Sequence, residues 1–168
     1  MRLLIARRSP HAARGQRGMT LIELIVALTI ASLLVAMGTP FFGDYIANAR
    51  LREGGTTLLA ETLFAQSEAI KRNGIVRVVI NGSVVNIVDR TEGANTQLRT
   101  RDLPDGVRAD AATQIDFGGE GRPAPFPSTA TVDLSKSGVT CSAEYRCPSL
   151  RVEAGGGIRL CGNKSICD

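Results

Sequence analysis

A charge-free apolar run behind a basic N-terminus constrains this 168-residue chain more than any other feature. The first 18 residues contain five arginines and no acidic residue, and no charged residue occurs between Leu24 and Gly43. With Met19 to Ile22 in front of it, the run is about 24 residues long, or roughly 36 Å of helix, which is enough to span a bilayer. The basic N-terminal flank predicts that this end stays in the cytoplasm and that the rest of the chain lies across the membrane.

The basic excess of the chain is confined to this N-terminal segment. The formal net charge is +4, from 20 Lys and Arg against 16 Asp and Glu. Without the five leading arginines, 15 basic residues face 16 acidic ones. A chain cleaved behind Gly18 is therefore close to neutral, and the charge of the whole sequence says nothing about its partners.

The composition also limits catalysis. The only histidine is His11, which lies in the basic leader. A chain without the leader has no imidazole base, no Ser-His or Cys-His pair and no histidine metal ligand. The glycine-rich segments 118–128 and 155–157 are not followed by the Gly-Lys-Ser/Thr of a phosphate-binding loop, so we interpret them as turns. The sequence predicts a protein that is not an enzyme and that uses no cofactor or metal.

Glu23 is an unusual residue in the apolar run. A carboxylate in lipid costs a few kcal/mol and needs a partner. Two plainer interpretations exist: Glu23 lies near the membrane interface of an ordinary signal anchor, or the segment is a secretory signal peptide. The second lacks a convincing small-residue cleavage site after the run.

The stretch Gly18-Met19-Thr20-Leu21-Ile22-Glu23 resembles the class III leader and mature start of type IV pilins and pseudopilins. The resemblance implies that a prepilin peptidase cuts after Gly18 and methylates Met19, which stands where the family usually has Phe. Glu23 is then fifth in the mature chain, the position of the family's glutamate. Pro40 is at mature position 22, where pilins carry a helix-kinking proline.

This resemblance gives Glu23 a partner. After cleavage Met19 carries an ammonium group, and Glu23 of one subunit can pair with the amine of its neighbour only upon assembly. The implied partners are the prepilin peptidase, other major and minor pilins, and the inner-membrane assembly platform. The implied location is the bacterial inner membrane, with a single pass and a periplasmic head, and then the pilus filament or its tip.

Residues 44–73 predict a polar and then amphipathic helix. Leu59, Leu63, Phe64 and Ile70 recur at helical spacing and predict a stripe that packs on a sheet. Gly54-Gly55 would cost roughly 2 kcal/mol relative to alanine, which predicts a hinge or break there.

Beyond Gly74 the pattern changes to the period of two that is typical of strands. Residues 75–80 and 84–89 flank Asn81-Gly82 and predict a hairpin. Five further short strands are predicted, at 106–110, 114–117, 130–134, 150–153 and 158–161. Segment 118–128 is rich in Gly and Pro and predicts a loop.

The predicted fold class is α+β, with a long pilin-like N-terminal helix packed on an antiparallel sheet or sandwich. The predicted organisation is a cleaved leader (1–18), a transmembrane or filament-core helix (19–42), an amphipathic helix (43–74) and a β-rich head (75–168).

The run from Leu63 to Asn73, followed by a valine-rich strand, resembles the GspH/FimT group of minor pilins and pseudopilins. Gln66 replaces the arginine that the group commonly has there, and the segment from Phe117 to Arg122 resembles its Phe…Gly-Arg segment. The resemblance implies a minor pilin that helps to initiate assembly or caps the filament. A type II secretion pseudopilin of the GspH type remains open as an alternative.

Four cysteines, Cys141, Cys147, Cys161 and Cys167, lie in the last 28 residues. Export to an oxidising compartment predicts two disulfides, and the five-residue gaps do not match structural zinc sites. A hairpin of 150–153 with 158–161 would bring Cys147 near Cys161. This favours Cys147–Cys161 with Cys141–Cys167, while the two local pairs stay open.

The stretch from Gly156 to Cys161 resembles the Gly-Arg-x-Arg pattern of FimT-type proteins, which are associated with DNA capture. Arg159 matches the second arginine, whereas Gly157 stands in place of the first. Arg151 and Lys164 are candidate helpers. DNA uptake in natural transformation is therefore an alternative function, weakened by the near-neutral chain and the missing arginine.

Overall fold

The computed structural model describes residues 18–93 and 95–167, and only the backbone at 39–41. The chain separates into a first unit that ends at Thr39 and a second that begins at Pro40. Within the described residues there are one long α-helix, nine β-strands and two short 3-10 helices at Thr91–Gly93 and Lys164–Ile166.

The helix, α1, spans Leu21–Arg72 without interruption. Thr20 caps its start, since the Thr20 hydroxyl accepts a hydrogen bond from the Glu23 amide at 3.3 Å. At the other end Asn73 takes a left-handed conformation with φ 48°, and the Gly74 amide donates to the Ala69 carbonyl at 3.1 Å.

Every strand pair is antiparallel. In chain order the strands are β1 (Val76–Asn81), β2 (Val84–Asp89), β3 (Thr96–Asp102), β4 (Val107–Ala109), β5 (Thr113–Phe117), β6 (Pro123–Ala124), β7 (Ala130–Lys136), β8 (Ser149–Val152) and β9 (Ile158–Cys161). One sheet has the order β3-β2-β1-β5-β6 and the other has the order β4-β7-β8-β9. The predicted fold class, a long N-terminal helix with antiparallel sheets, is confirmed.

The predicted hairpin is confirmed. Strands β1 and β2 pair from Val76↔Asp89 to Asn81↔Val84, and Gly82 supplies the positive φ of 59° that the turn requires. The five other predicted strands match β4, β5, β7, β8 and β9 to within two residues. Strand β3 and the two-residue β6, which lies inside the predicted loop, were not anticipated.

One hydrophobic core joins the second half of α1 to both sheets. The helix contributes Leu51, Leu58, Ala65 and Ala69, all fully buried. The sheets contribute Val76, Val78, Ile80, Val85, Ile87, Val107, Ala109, Ile115, Phe117, Val132, Leu134, Leu150 and Val152.

The predicted helix stripe is wrong in part. Leu59 and Phe64 do pack against the core, but Leu63 is 45% exposed and Ile70 is 54% exposed. The buried face instead runs through small residues such as Ala65 and Ala69, which bury little area but let the helix approach the strands closely.

The predicted break at Gly54-Gly55 is also wrong, because α1 continues through both residues. A Cβ on Gly54 would lie 2.8 Å from Cγ1 of Val107. A Cβ on Gly55 would lie 2.9 Å from Cβ of Pro148. The two glycines are therefore sites of close packing against the second sheet and its flanking loop, and tertiary contact offsets their poor helix propensity.

Candidate functional site

The start of α1 presents the residues of the predicted leader junction. Gly18, Met19 and Thr20 precede the helix, and Met19 is 60% exposed. Glu23 lies in the first turn and is exposed, and no cation of the described residues pairs with its carboxylate. Its position three residues after the capping Thr20 places the carboxylate at the positive end of the helix dipole.

The helix behind this start is long and apolar enough to cross a membrane from Leu21 to Gly38, and none of this stretch is buried. Large apolar side chains such as Leu21, Ile22 and Val35 are at least two-thirds exposed. A continuous apolar surface of this kind is unfavourable in water and marks a membrane or protein interaction site. The helical backbone continues through Pro40, whose side chain lies outside the described residues.

The four cysteines form two local disulfides. Cys141 pairs with Cys147 and Cys161 pairs with Cys167, with Cα–Cα separations of 5.6 and 5.5 Å. The preferred pairing of Cys147 with Cys161 is therefore wrong. In the β8–β9 register Cys161 lies opposite Ser149, and the Cys147 side chain is fully buried in the core. Each bond thus closes a short loop beside a strand end and leaves the hairpin itself without a cross-link.

The three candidate DNA contacts lie in one region but already have protein partners. Arg151 and Arg159 are directly paired across β8 and β9. Arg159 lies 3.2 Å from the Glu153 carboxylate, while Arg151 donates to the Thr131 hydroxyl at 3.3 Å and to the Cys167 carbonyl at 3.2 Å.

Lys164 is also paired, because its ammonium lies 2.6 Å from the Asp110 carboxylate. Partial burial raises the pKa of Asp110, but hydrogen bonds from Lys164 and Ser135 outweigh it, so this pKa lies below its ordinary value. Two of the three cations are thus neutralised locally by carboxylates. This arrangement favours a compact hairpin end over a strong phosphate-binding surface.

Gln66 stands where the GspH/FimT group commonly has arginine, and it has a defined structural role. Its side-chain amide donates to the carbonyls of Gly121 and Gly156, each at 2.7 Å. It therefore fixes the glycine-rich loop after β5 and the turn between β8 and β9 to the helix. The sequence could not show this role, because both acceptors are backbone carbonyls far along the chain.

The sequence analysis did not predict an ion cluster around the buried Glu61. Glu61 is only 5% exposed, and its carboxylate lies 3.3 Å from the Arg99 guanidinium and 3.4 Å from that of Arg101. Arg99 also stacks 3.9 Å above the ring centroid of Phe64. These contacts attach the polar edge strand β3 to the helix.

Comparison with known families gives two matches. The prokaryotic N-terminal methylation motif matches residues 13–39. The family of the type II transport protein GspH matches residues 55–156, more than half of the chain.

Two curated relatives are a fimbrial protein and a type IV major pilin protein. A fimbrial protein of Moraxella nonliquefaciens is 39% identical over 60 residues, which cover 36% of this chain and 38% of that protein. The type IV major pilin protein PilE1 of Neisseria gonorrhoeae is 25% identical over 125 residues, which cover 62% of this chain and 58% of that protein. The chain thus matches less than two thirds of the length of each relative.

Solved structures share the fold at low sequence identity. The type IV minor pilin FimU of Pseudomonas aeruginosa has a TM-score of 0.55 at 21% identity, covering 66% of this chain and 87% of that one. The minor pseudopilin EpsH from the Type 2 Secretion System of Vibrio cholerae has a TM-score of 0.52 at 15% identity, with coverages of 64% and 93%. GspH of Escherichia coli has a TM-score of 0.53 at 14% identity, with coverages of 73% and 94%.

Proposed function

Because the chain belongs to the GspH family of type IV minor pilins and pseudopilins, we propose that it is a minor subunit of a type IV pilus, which helps to initiate assembly or caps the filament tip. The single observation that carries this proposal is the exposed apolar half of α1, which lies within the matched N-terminal methylation motif. A surface of that size needs lipid before assembly and other subunits afterwards.

The proposed processing follows from the same residues. A prepilin peptidase cuts after Gly18, and Met19 becomes the methylated N-terminus. Glu23 lies exposed in the first turn without a cationic partner among the described residues. The ammonium of a neighbouring subunit supplies that partner, so a charge that is costly in lipid becomes paired only in the filament.

The proposed location and partners are those of a membrane-anchored pilin. The chain passes once through the inner membrane with its head in the periplasm, and then enters the filament or its tip. It contacts other major and minor pilins and the inner-membrane assembly platform.

The family also supports a second candidate function, a pseudopilin of type II secretion. The matched family is described as a type II transport protein, and EpsH from a secretion system shares the fold. The curated relatives named as a fimbrial protein and a major pilin favour the pilus. Recovery of the chain in sheared surface pili supports the pilus, whereas recovery only in pseudopili supports the alternative.

Assembly through Glu23 is tested by its removal. Glu23→Ala is expected to be cleaved and inserted normally, because losing a charge eases insertion. It is expected to be lost from sheared filament fractions, since the neighbour's ammonium then has no partner. The matched control is Glu120→Ala, which removes an exposed carboxylate from a loop of the head. Equal recovery of Glu23→Ala and the wild type would contradict the proposal.

A further inference from the structure

A cleft of about 520 Å³ lies between the second half of α1 and the C-terminal loops. One wall is a face of α1 that carries Asn48, Arg52 and Thr56, which are spaced four residues apart. The other wall is formed by the loop after β7 and the end of β9. The lining of the cleft includes Asn48, Arg52, Thr56, Glu144 and Arg146, the last two in the loop.

The loop that forms the second wall is held in place from several sides. The Cys141–Cys147 disulfide closes it. Asn48 donates from its side chain to the Glu144 carbonyl at 3.1 Å and accepts from the Arg146 amide at 3.2 Å. A site with fixed walls loses little conformational entropy when a partner binds.

Two guanidinium groups lie in this cleft without an internal partner. Arg52 is one helical turn beyond Asn48, whose side chain holds the backbone of Arg146. Both arginines are exposed, and neither guanidinium makes an ion pair or hydrogen bond with any described residue. By contrast, the hairpin cations Arg159 and Lys164 are each paired with a carboxylate.

The charge of the cleft matches one carboxylate better than a polyanion. Arg52 and Arg146 together with Glu144 leave a single net positive charge among the lining residues. The planar guanidinium fork fits a carboxylate with two parallel hydrogen bonds. Nucleic acid, whose affinity grows with the number of phosphate contacts, would gain little here.

The surroundings of the cleft are those of a protein interface. Two neighbouring hollows share lining residues with the cleft. One shares Arg52 and includes Tyr45, and the other shares Arg146 and includes Ile166. Tyr45 is 73% exposed and Ile166 is 77% exposed. Arginine with an exposed aromatic residue is the composition of energetic centres in protein–protein interfaces.

We propose that this cleft docks an acidic side chain of another pilin subunit, whose carboxylate bridges Arg52 and Arg146. The proposal rests on the proposed function, since it takes the partner to be a subunit of the same filament. It adds a second polar contact between subunits, formed by the head and separate from the pairing of Glu23.

The test uses the full chain expressed in its own cells. Arg146→Glu is expected to lower recovery in sheared filaments about tenfold or more, because it places a like charge opposite the incoming carboxylate. Lys136→Glu is the matched control, since Lys136 also lacks an ion pair among the described residues but lies outside the cleft. Membrane levels and protease resistance of both variants are compared with the wild type to establish that they fold.

A photo-crosslinking residue at Thr56 then identifies the occupant. The expected product joins this chain to a pilin peptide that contains Asp or Glu, and changing that acid to Arg should restore assembly of Arg146→Glu. Crosslinks to nucleic acid alone, no crosslink, or failure of the charge exchange would overturn the proposal. If Arg146→Glu assembles normally while Glu23→Ala does not, the cleft proposal fails and the pilin function stands. If both assemble normally, the Glu23 pairing fails as well, whereas absence of the wild-type chain from every filament fraction would refute the pilin function itself.

Discussion

The two halves of α1 have the same secondary structure and opposite surroundings. From Leu21 to Gly38 no residue is buried, although the side chains are mostly large and apolar. In the second half Leu51 and Leu58 are fully buried, together with small residues such as Ala65 and Ala69. The first half therefore depends on lipid or other subunits for its stability, and the second half depends on the sheets of its own chain.

The difference shows that apolar content alone does not locate the core of this protein. The second half is more polar, yet it carries the packing contacts because its glycines and alanines let strands approach. The close distances at Gly54 and Gly55 are the clearest evidence. Substitutions at individual positions of α1 test this difference in packing.

The largest effect is expected for Gly54→Leu. The new side chain would overlap Val107, which already lies 2.8 Å from the position of a Cβ. We expect a loss of about 2–3 kcal/mol in the free energy of unfolding of the head, from overpacking. Thermal unfolding of the full chain in detergent, followed by circular dichroism, measures it.

The matched control for this substitution is Gly38→Leu. Gly38 belongs to the first half of the same helix, and nothing lies within 4 Å of its Cβ position. We expect a change within about 0.5 kcal/mol there. Equal destabilisation by both variants would show that the two regions of the helix do not differ in packing as described.

A smaller effect is expected at the disulfides. Each bond closes a loop with a sequence separation of 6 and should contribute about 2 kcal/mol. Cys141→Ala/Cys147→Ala should cost more than Cys161→Ala/Cys167→Ala, because Cys147 is fully buried and its loop holds Asn48 of the helix. Chemical denaturation of the two double variants gives the order, and the reverse order would contradict this account.

Peptide mapping without reductant provides the direct check on the pairing. It should recover Cys141 joined to Cys147 and Cys161 joined to Cys167, with no free thiol. A bond between Cys147 and Cys161, or stoichiometric zinc, would contradict the structure.

The sequence predicted elements whose signal is local and missed those that depend on distant contacts. Asn81-Gly82 marks its hairpin because the turn itself requires a positive φ. Strand β3 reads Thr-Gln-Leu-Arg-Thr-Arg-Asp, and this polar sequence lacks the apolar alternation of a half-buried strand. Its arginines are fixed by the buried Glu61 on the helix, a contact that no local pattern reveals.

The candidate sites also differ in whether they depend on neighbouring residues or on distant contacts. The resemblance around Gly18 and Glu23 can be identified from adjacent residues, whereas the cleft between Arg52 and Arg146 joins residues 94 positions apart. The disulfide preference failed for a related reason. Proximity across β8 and β9 suggested Cys147 with Cys161, but Cys161 lies opposite Ser149, and each cysteine bonds instead with one six residues away in its own loop.

The smallest effect is expected for DNA binding by the head. We expect the segment from Asp44 to bind duplex DNA weakly at low salt, because Arg159 and Lys164 are paired. Arg159→Ala should abolish the residual binding in a polarisation titration. Tight, salt-sensitive binding by the wild type would instead support DNA uptake as the main function.

Two added arginines sharpen this test. Gly157→Arg should strengthen binding by restoring the missing residue of the FimT-type pattern, since the three atoms nearest to its Cβ all belong to the flexible Glu153 side chain. Gly155→Arg adds the same charge in open space two residues away. Equal gains from both would show that added charge, rather than the position in the pattern, determines binding.

The most direct test of the central claim, that α1 begins as the processed N-terminus of a pilin, is the mass of the protein extracted from membranes. The account predicts a chain that starts at N-methylated Met19, and Gly18→Ala should leave the precursor uncut. An intact chain from Met1, or cleavage beyond residue 37, would contradict it.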